Sequence, residues 1–276
     1  MFLQCGKFRL SLERPLIMGI VNVTPDSFSD GGQFTNAAQA AAHARRLIEE
    51  GADFIDIGGE STRPGSLPVP VAEERRRVLP VIERLASCGV PVSVDTQKPE
   101  LMREALAAGA SMVNDISAFS APGALEAVAE SAAAVCLMHK QGDPRTMQDH
   151  PRYDDVVREV RDYLASRIAA AERAGFARSR IAIDPGFGFG KAYEHNLALL
   201  RALGEFAKLG TALLVSLSRK SMLGKITGRE VGERVFASVA AALLAVKRGA
   251  HIVRVHDVAA TRDALAVWQA VGKLNH

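Results

Sequence analysis

Eight short apolar runs recur along the chain, and each gives way to polar or glycine-rich sequence: Ile17–Asn22, Phe54–Ile57, Val90–Asp95, Met112–Asp115, Ala134–His139, Ile181–Asp184, Ala212–Ser218 and Ile252–Asp257. Between them lie segments with apolar residues at helical spacing, near 36–50, 70–87, 99–108, 123–132, 154–174, 194–208, 232–248 and 259–271. Strict alternation of this kind predicts parallel strands joined by helices. Eight such units favour closure into a single (β/α)8 TIM barrel spanning residues 1–276 as one domain, since that architecture typically takes about 250 residues. An open doubly wound sheet competes, but no Gly-x-Gly-x-x-Gly turn follows the first run.

Local punctuation agrees with the alternation. Asn36 with Gln39 reads as a capping box, and Pro99 stands where a first-turn proline opens a helix. The dipeptide Gly-Ala recurs at Gly51, Gly109 and Gly249, each time after a helical pattern and before an apolar run, as a helix C′ glycine would. Phe2–Leu12, with Cys5-Gly6-Lys7 at its turn, predicts a short β-hairpin closing the bottom of the barrel.

Composition narrows the class of function. Hydrophobic residues make up 48% of the chain, enough for one large core, and 34 basic against 31 acidic residues are spread without a basic stripe, so no nucleic-acid partner is expected. Three cysteines, Cys5, Cys88 and Cys136, lie far apart without zinc or redox spacing, which points to reduced thiols. Met1–Lys7 has no apolar signal region, and the longest apolar stretch, Val235–Val246, is too short to span a bilayer. A cytoplasmic protein with no membrane partner is the expectation.

In a parallel barrel the carboxyl ends of all strands open onto one face, so Asn22, Asp95, Asn114, Asp184, Lys220, Arg254 and His256 should be neighbours there. Asp95, Asn114 and Asp184 end three different strands, and buried groups of this kind need hydrogen-bond partners, such as a planar ligand rich in donors. Each taken singly reads more readily as a cap for the following loop, and it is the three together at one barrel end that point to a site. Lys220 follows the seventh run and is open between a Schiff-base lysine, a hydrogen-bond donor and a surface cation. Arg254 and His256 alternate on the eighth run and so point the same way, into the barrel. Two long polar loops, Asn22–Gly32 and Gly58–Ser66, leave the first and second runs.

Taken together, Gly19–Gly32, Gly58–Gly65, Ser93–Thr96, Asn114-Asp115, Asp184–Lys191, Ser218–Ser221 and Arg254–Asp257 closely resemble the dihydropteroate synthase family of folate biosynthesis, in order and over nearly the whole chain. The resemblance implies a transferase that joins 6-hydroxymethyl-7,8-dihydropterin diphosphate to 4-aminobenzoate, giving 7,8-dihydropteroate and pyrophosphate by a magnesium-assisted, SN1-like displacement. It implies that Asp95, Asn114, Asp184, Lys220 and Arg254 hold the pterin, and that Asn22, Arg63, Arg254 and His256 meet the diphosphate, with Asn22 on Mg2+. Phe28, Thr62, Pro64, Phe189, Lys220 and Ser221 would form the aminobenzoate side, which sulfonamides would occupy. The family likeness also implies a homodimer through helices near the carboxyl end, around Ser238–Ala245.

Two positions depart from the pattern: Lys140 stands where an apolar residue is expected, and Ser216 where glycine is common. Lys140 is expected to change the surface of the fifth loop, and Ser216 only to fill a slightly larger gap in the barrel wall. A pterin-binding methyltransferase and a non-catalytic pterin-binding paralogue are the rival readings. The first has no diphosphate to grip and no use for Arg63 and His256, and the second would lack the two loops, which are intact here. A Schiff-base aldolase using Lys220 is a third.

Overall fold

The computed structural model describes residues 1–24, 33–61, 66–143 and 146–272. Strands β1 (Phe2–Cys5) and β2 (Phe8–Ser11) pair antiparallel, with Phe2 opposite Ser11 and Cys5 opposite Phe8. Gly6 opens the two-residue connection at φ +57°, the left-handed backbone that a tight hairpin needs.

Eight further strands follow: β3 (Leu16–Asn22), β4 (Phe54–Gly58), β5 (Val92–Asp95), β6 (Met112–Asp115), β7 (Ala134–Met138), β8 (Ile181–Asp184), β9 (Ala212–Val215) and β10 (Ile252–Val255). They close in the order β10-β3-β4-β5-β6-β7-β8-β9, all pairs parallel. The barrel expected from the alternation is therefore present. The hairpin docks beneath it: the Gly6 amide donates to the Ala132 carbonyl at 2.9 Å, and Leu3, Cys5 and Leu12 pack with Leu16, Met18, Phe54 and Met112.

Strand alternation explains what the interior holds. On β3, Leu16 and Met18 join that floor while Ile17 and Val21 pack outward against the helices. Following the inward row upward, Phe54 gives way to Asp56, Ser93 to Asp95, Met112 to Asn114, Ala182 to Asp184 and Ile252 to Arg254. The interior is thus apolar at the hairpin end and ionisable at the carboxyl ends of the strands. Truncating the fully buried Phe54 to alanine would cost about 3–5 kcal/mol.

The helices are α1 (Gln33–Glu49), α2 (Val71–Leu85), α3 (Pro99–Ala107), α4 (Glu126–Ala129), α5 (Val156–Arg173), α6 (Tyr193–Arg201), α7 (Gly204–Ala207), α8 (Ser221–Thr227), α9 (Val235–Lys247) and α10 (Val258–Gly272). The three Gly-Ala joints share one geometry. Gly51, Gly109 and Gly249 have φ of 105°, 115° and 100°. The alanine amide after each reaches five residues back, Ala52 to Leu47 at 2.9 Å, Ala110 to Ala105 at 2.9 Å and Ala250 to Ala245 at 3.0 Å, as in a Schellman stop.

Several boundaries differ from the sequence pattern. α1 begins at Gln33, so Asn36 lies inside the helix and not at its cap. The segment near 194–208 breaks into α6 and α7, and that near 123–132 keeps only the short α4. β9 stops at Val215, and α8, absent from the pattern, starts at Ser221.

Candidate active site

Arg254 organises the rim of the barrel. Its Nε donates to Asp56 Oδ2 at 2.6 Å and its Nη2 to Asp95 Oδ2 at 2.9 Å, while Asn114 Nδ2 donates to the same Asp56 oxygen at 3.2 Å. Burial works against the Arg254 charge, but Asp56 and Asp95 outweigh it and hold its pKa above the ordinary value. Burial pushes Asp95 up to about 7 despite Arg254, with Asp56 adding to the rise. Two carboxylates facing one guanidinium leave the layer with an excess of negative charge. Among the described residues, Asp56 Oδ1 and Ser93 Oγ are buried without a partner, and such atoms call for a donor-bearing ligand or water.

A second charged pair stands beside this one. Asp184 takes the Gly186 amide on Oδ1 at 2.7 Å, and burial still raises it to about 6. Lys220 is lowered to about 8 by burial, with Asp184 opposing. The Lys220 ammonium lies 4.3 Å from the centre of the Phe189 ring. Its place is set by Arg219, which adopts φ +59°, a costly conformation for a side chain with a Cβ. Arg219 is held there from both sides: its guanidinium forks onto Asp257 at 2.6 and 3.2 Å, and its amide donates to Ser238 Oγ at 2.9 Å. Ser221 then opens α8.

His256 follows β10 and pairs through Nδ1 with Ser218 Oγ at 2.9 Å; its amide also donates to that oxygen, at 3.2 Å. Asn22 and His256 line one cavity of about 570 Å³, bounded on the other side by Gln39, His43 and Arg46 of α1. Asp95, Asp184, Lys220 and Arg254, all with displaced pKa values, thus cluster at the carboxyl ends of the strands above an apolar floor, the usual signature of a functional site.

A model of the family described as "Pterin binding enzyme" matches residues 18–256. This chain belongs to the pterin-binding enzymes. Among its relatives, the dihydropteroate synthase of Neisseria meningitidis serogroup B is 54% identical over 276 residues, covering 98% of this chain and 97% of that protein. Two solved structures superpose closely on this pterin-binding enzyme. Xanthomonas albilineans dihydropteroate synthase with 4-aminobenzoic acid gives a TM-score of 0.93 at 58% identity, covering 98% of both chains. Burkholderia cenocepacia dihydropteroate synthase complexed with 7,8-dihydropteroate gives 0.90 at 53%, covering 99% of this chain and 97% of that one.

Within this pterin-binding enzyme, Asn22, Asp95, Asn114, Asp184, Lys220, Arg254 and His256 gather at the carboxyl end of the barrel as their sequence positions implied. Phe28, Thr62, Arg63 and Pro64 lie outside the described residues. Asp56 was missed by sequence reasoning, although a carboxylate two residues after Phe54 in an apolar run was a legible signal. Asp115 turns outward instead, where it takes the amides of Ser117 and Phe119 at 2.7 Å each. Lys140 is half-buried and extends to Gln97 Oε1 at 3.4 Å, linking the ends of β7 and β5.

Proposed function

We propose that this chain condenses 6-hydroxymethyl-7,8-dihydropterin diphosphate with 4-aminobenzoate to give 7,8-dihydropteroate and pyrophosphate. The observation that carries the reading is the excess of buried acceptors at the rim. The donors of Arg254, Asn114 and Gly186 fall on three of the six carboxylate oxygens of Asp56, Asp95 and Asp184, and a pterin edge supplies further amide and amino N–H groups. Asn114 and Lys220 complete that edge, and the flat guanidinium of Arg254 stacks against the ring. The relatives complexed with 4-aminobenzoic acid and with 7,8-dihydropteroate support both halves of the reaction.

In the displacement, the bond between the methylene carbon and the diphosphate oxygen breaks and pyrophosphate departs with the electron pair. The electron-rich pterin spreads the positive charge left on the methylene. His256, Asn22 and Arg63 would receive the departing anion, and electrostatic stabilisation of a leaving anion lowers the barrier. The aniline nitrogen attacks the same carbon and releases a proton to water. An aromatic amine is unprotonated at neutral pH, so alignment between Phe189, Lys220 and Ser221 does the rest.

The Asn22 side-chain oxygen, which lines the same cavity as His256, is a donor suited to a Mg2+ that would take its other ligands from substrate phosphates and water. When bound, the ion would neutralise charge on the diphosphate.

The working form is proposed to be a cytoplasmic homodimer. Phe236 and Leu244 on α9 and Val267, Trp268 and Val271 on α10 are exposed, an apolar face near the carboxyl end that a second copy would cover. Cys5, Cys88 and Cys136 are free thiols, and no helix among the described residues is long and apolar enough to cross a membrane.

A pyrophosphate-release assay with both substrates, then omitting each in turn and finally Mg2+, tests the reaction. Release that needs the pterin but ignores aminobenzoate would refute it. Arg63→Ala or His256→Ala should lower turnover while pterin alone still binds, and sulfonamides should compete with aminobenzoate.

A further inference from the structure

The loop from Pro185 to Lys191, between β8 and α6, lies backbone against backbone on the segment that leaves β7. Gly186 and Gly190 have φ of +72° and +63°, and a Cβ on them would stand 1.9 Å from the His139 carbonyl oxygen and 2.1 Å from that of Gln141. Side chains from elsewhere take up the loop's polar groups. Gln148 Nε2 donates to the Gly188 carbonyl, Tyr153 donates to Gly190 at 2.9 Å, and Asn196 Oδ1 accepts from the Gly188 amide at 2.7 Å.

Lys191 closes the arrangement from beneath. Its side chain is buried, and its ammonium donates to His139 Nδ1 at 2.9 Å, to the Phe189 carbonyl at 3.0 Å and to the His139 carbonyl at 3.3 Å. All three acceptors are neutral. Burying a cation on such partners is costly, which draws the Lys191 amine down to about 7 against the charge of Asp184, and a methionine of similar length would fill the space without that cost. What the cation adds is geometry: one group joins the peptide of Phe189 to the end of β7. Phe189 in turn faces Lys220, on the proposed aminobenzoate side.

We infer that Lys191 is a positioning residue that fixes the Phe189 wall of the aminobenzoate subsite by clamping the loop to His139. The inference rests on the reaction proposed above. Burial draws the His139 imidazole down to about 3, so at neutral pH it is uncharged, and in its Nε2–H tautomer Nδ1 accepts from Lys191 as the clamp requires.

The test compares wild type with Lys191→Met. Losing this three-bond clamp should raise the KM for aminobenzoate by about 10-fold or more, while calorimetric affinity for a pterin without the diphosphate stays within about twofold. In a Phe189→Ala background, Lys191→Met should add less than about twofold, because the two act through one wall. An unchanged aminobenzoate KM, or equal loss of pterin affinity, would overturn the inference. If Lys191→Met does not fold, Tyr153→Phe removes a neighbouring clamp and should raise the same KM by about threefold; no rise would be equally fatal. Wild-type protein that released no pyrophosphate would sink the proposed reaction instead, and the aminobenzoate dissociation constants of the two proteins, measured with pterin and pyrophosphate present, would then decide the inference.

Discussion

Asp184→Asn is expected to stabilise the fold at alkaline pH while weakening its hold on a pterin. The Asp184 carboxyl is raised from 3.8 to about 6, first by burial and against the Gly186 amide and the charge of Lys220. About two units at 1.36 kcal/mol each amount to roughly 3 kcal/mol against the ionised form in the folded state. Because the folded value exceeds the unfolded one, the group favours folding most below pH 3.8, and that contribution is lost as pH climbs through about 6. Asparagine keeps an oxygen for the Gly186 amide and carries no charge. Lys220 loses a compensating neighbour, which returns part of the gain. A net of about 1–3 kcal/mol remains, or roughly 2–10 °C in melting temperature at about pH 8, shrinking to nothing near pH 4. Thermal denaturation at both pH values measures this, and calorimetry with a pterin should show affinity falling by about 10- to 100-fold. A melting temperature that is unchanged or lower at pH 8, or that rises equally at pH 4, would refute the argument.

Two other outcomes follow from the same layer, and a third from the outward face of β6. Arg254→Met leaves Asp56 and Asp95 buried without their cation and should cost about 3–5 kcal/mol in urea denaturation; a loss below about 1 kcal/mol would mean that the carboxylates do not depend on it. Pterin affinity should decline as pH falls through about 7 and then about 6, when Asp95 and Asp184 take up protons, and a flat profile between about pH 8 and pH 5 would contradict those assignments. Asp115→Ala strands two buried amides and the left-handed turn at Ala118 and Phe119, at φ of 49° and 57°. It should lower stability by about 2–4 kcal/mol and leave both KM values within about twofold.

The period of the apolar runs made the barrel legible, because strand and helix repeats differ and three of the joints share one Gly-Ala stop. Boundaries were less so. Leu203 and Phe206 continue the apolar pattern of α6, so the break at Ala202 is fixed by packing, and α8 is seven residues long, too short for periodicity to reveal. Polar residues that end a run could be placed at the rim, whereas Asp56 sits within one and reads as part of the wall until alternation is followed across β4 and β5. Lys191 was quoted as part of a motif, yet its direction depends on the curl of a loop with three left-handed glycines, which spacing alone does not convey.

The hairpin floor has an electrical consequence. By stoppering the barrel beneath Met18 and Phe54, β1 and β2 keep solvent from approaching the ionisable rim from below, so the tension that displaces Asp95, Asp184 and Lys220 is partly maintained at the opposite end of the molecule from where substrates enter. Loosening that stopper would act as a remote dielectric dial, returning all three groups toward their aqueous behaviour without touching any of them.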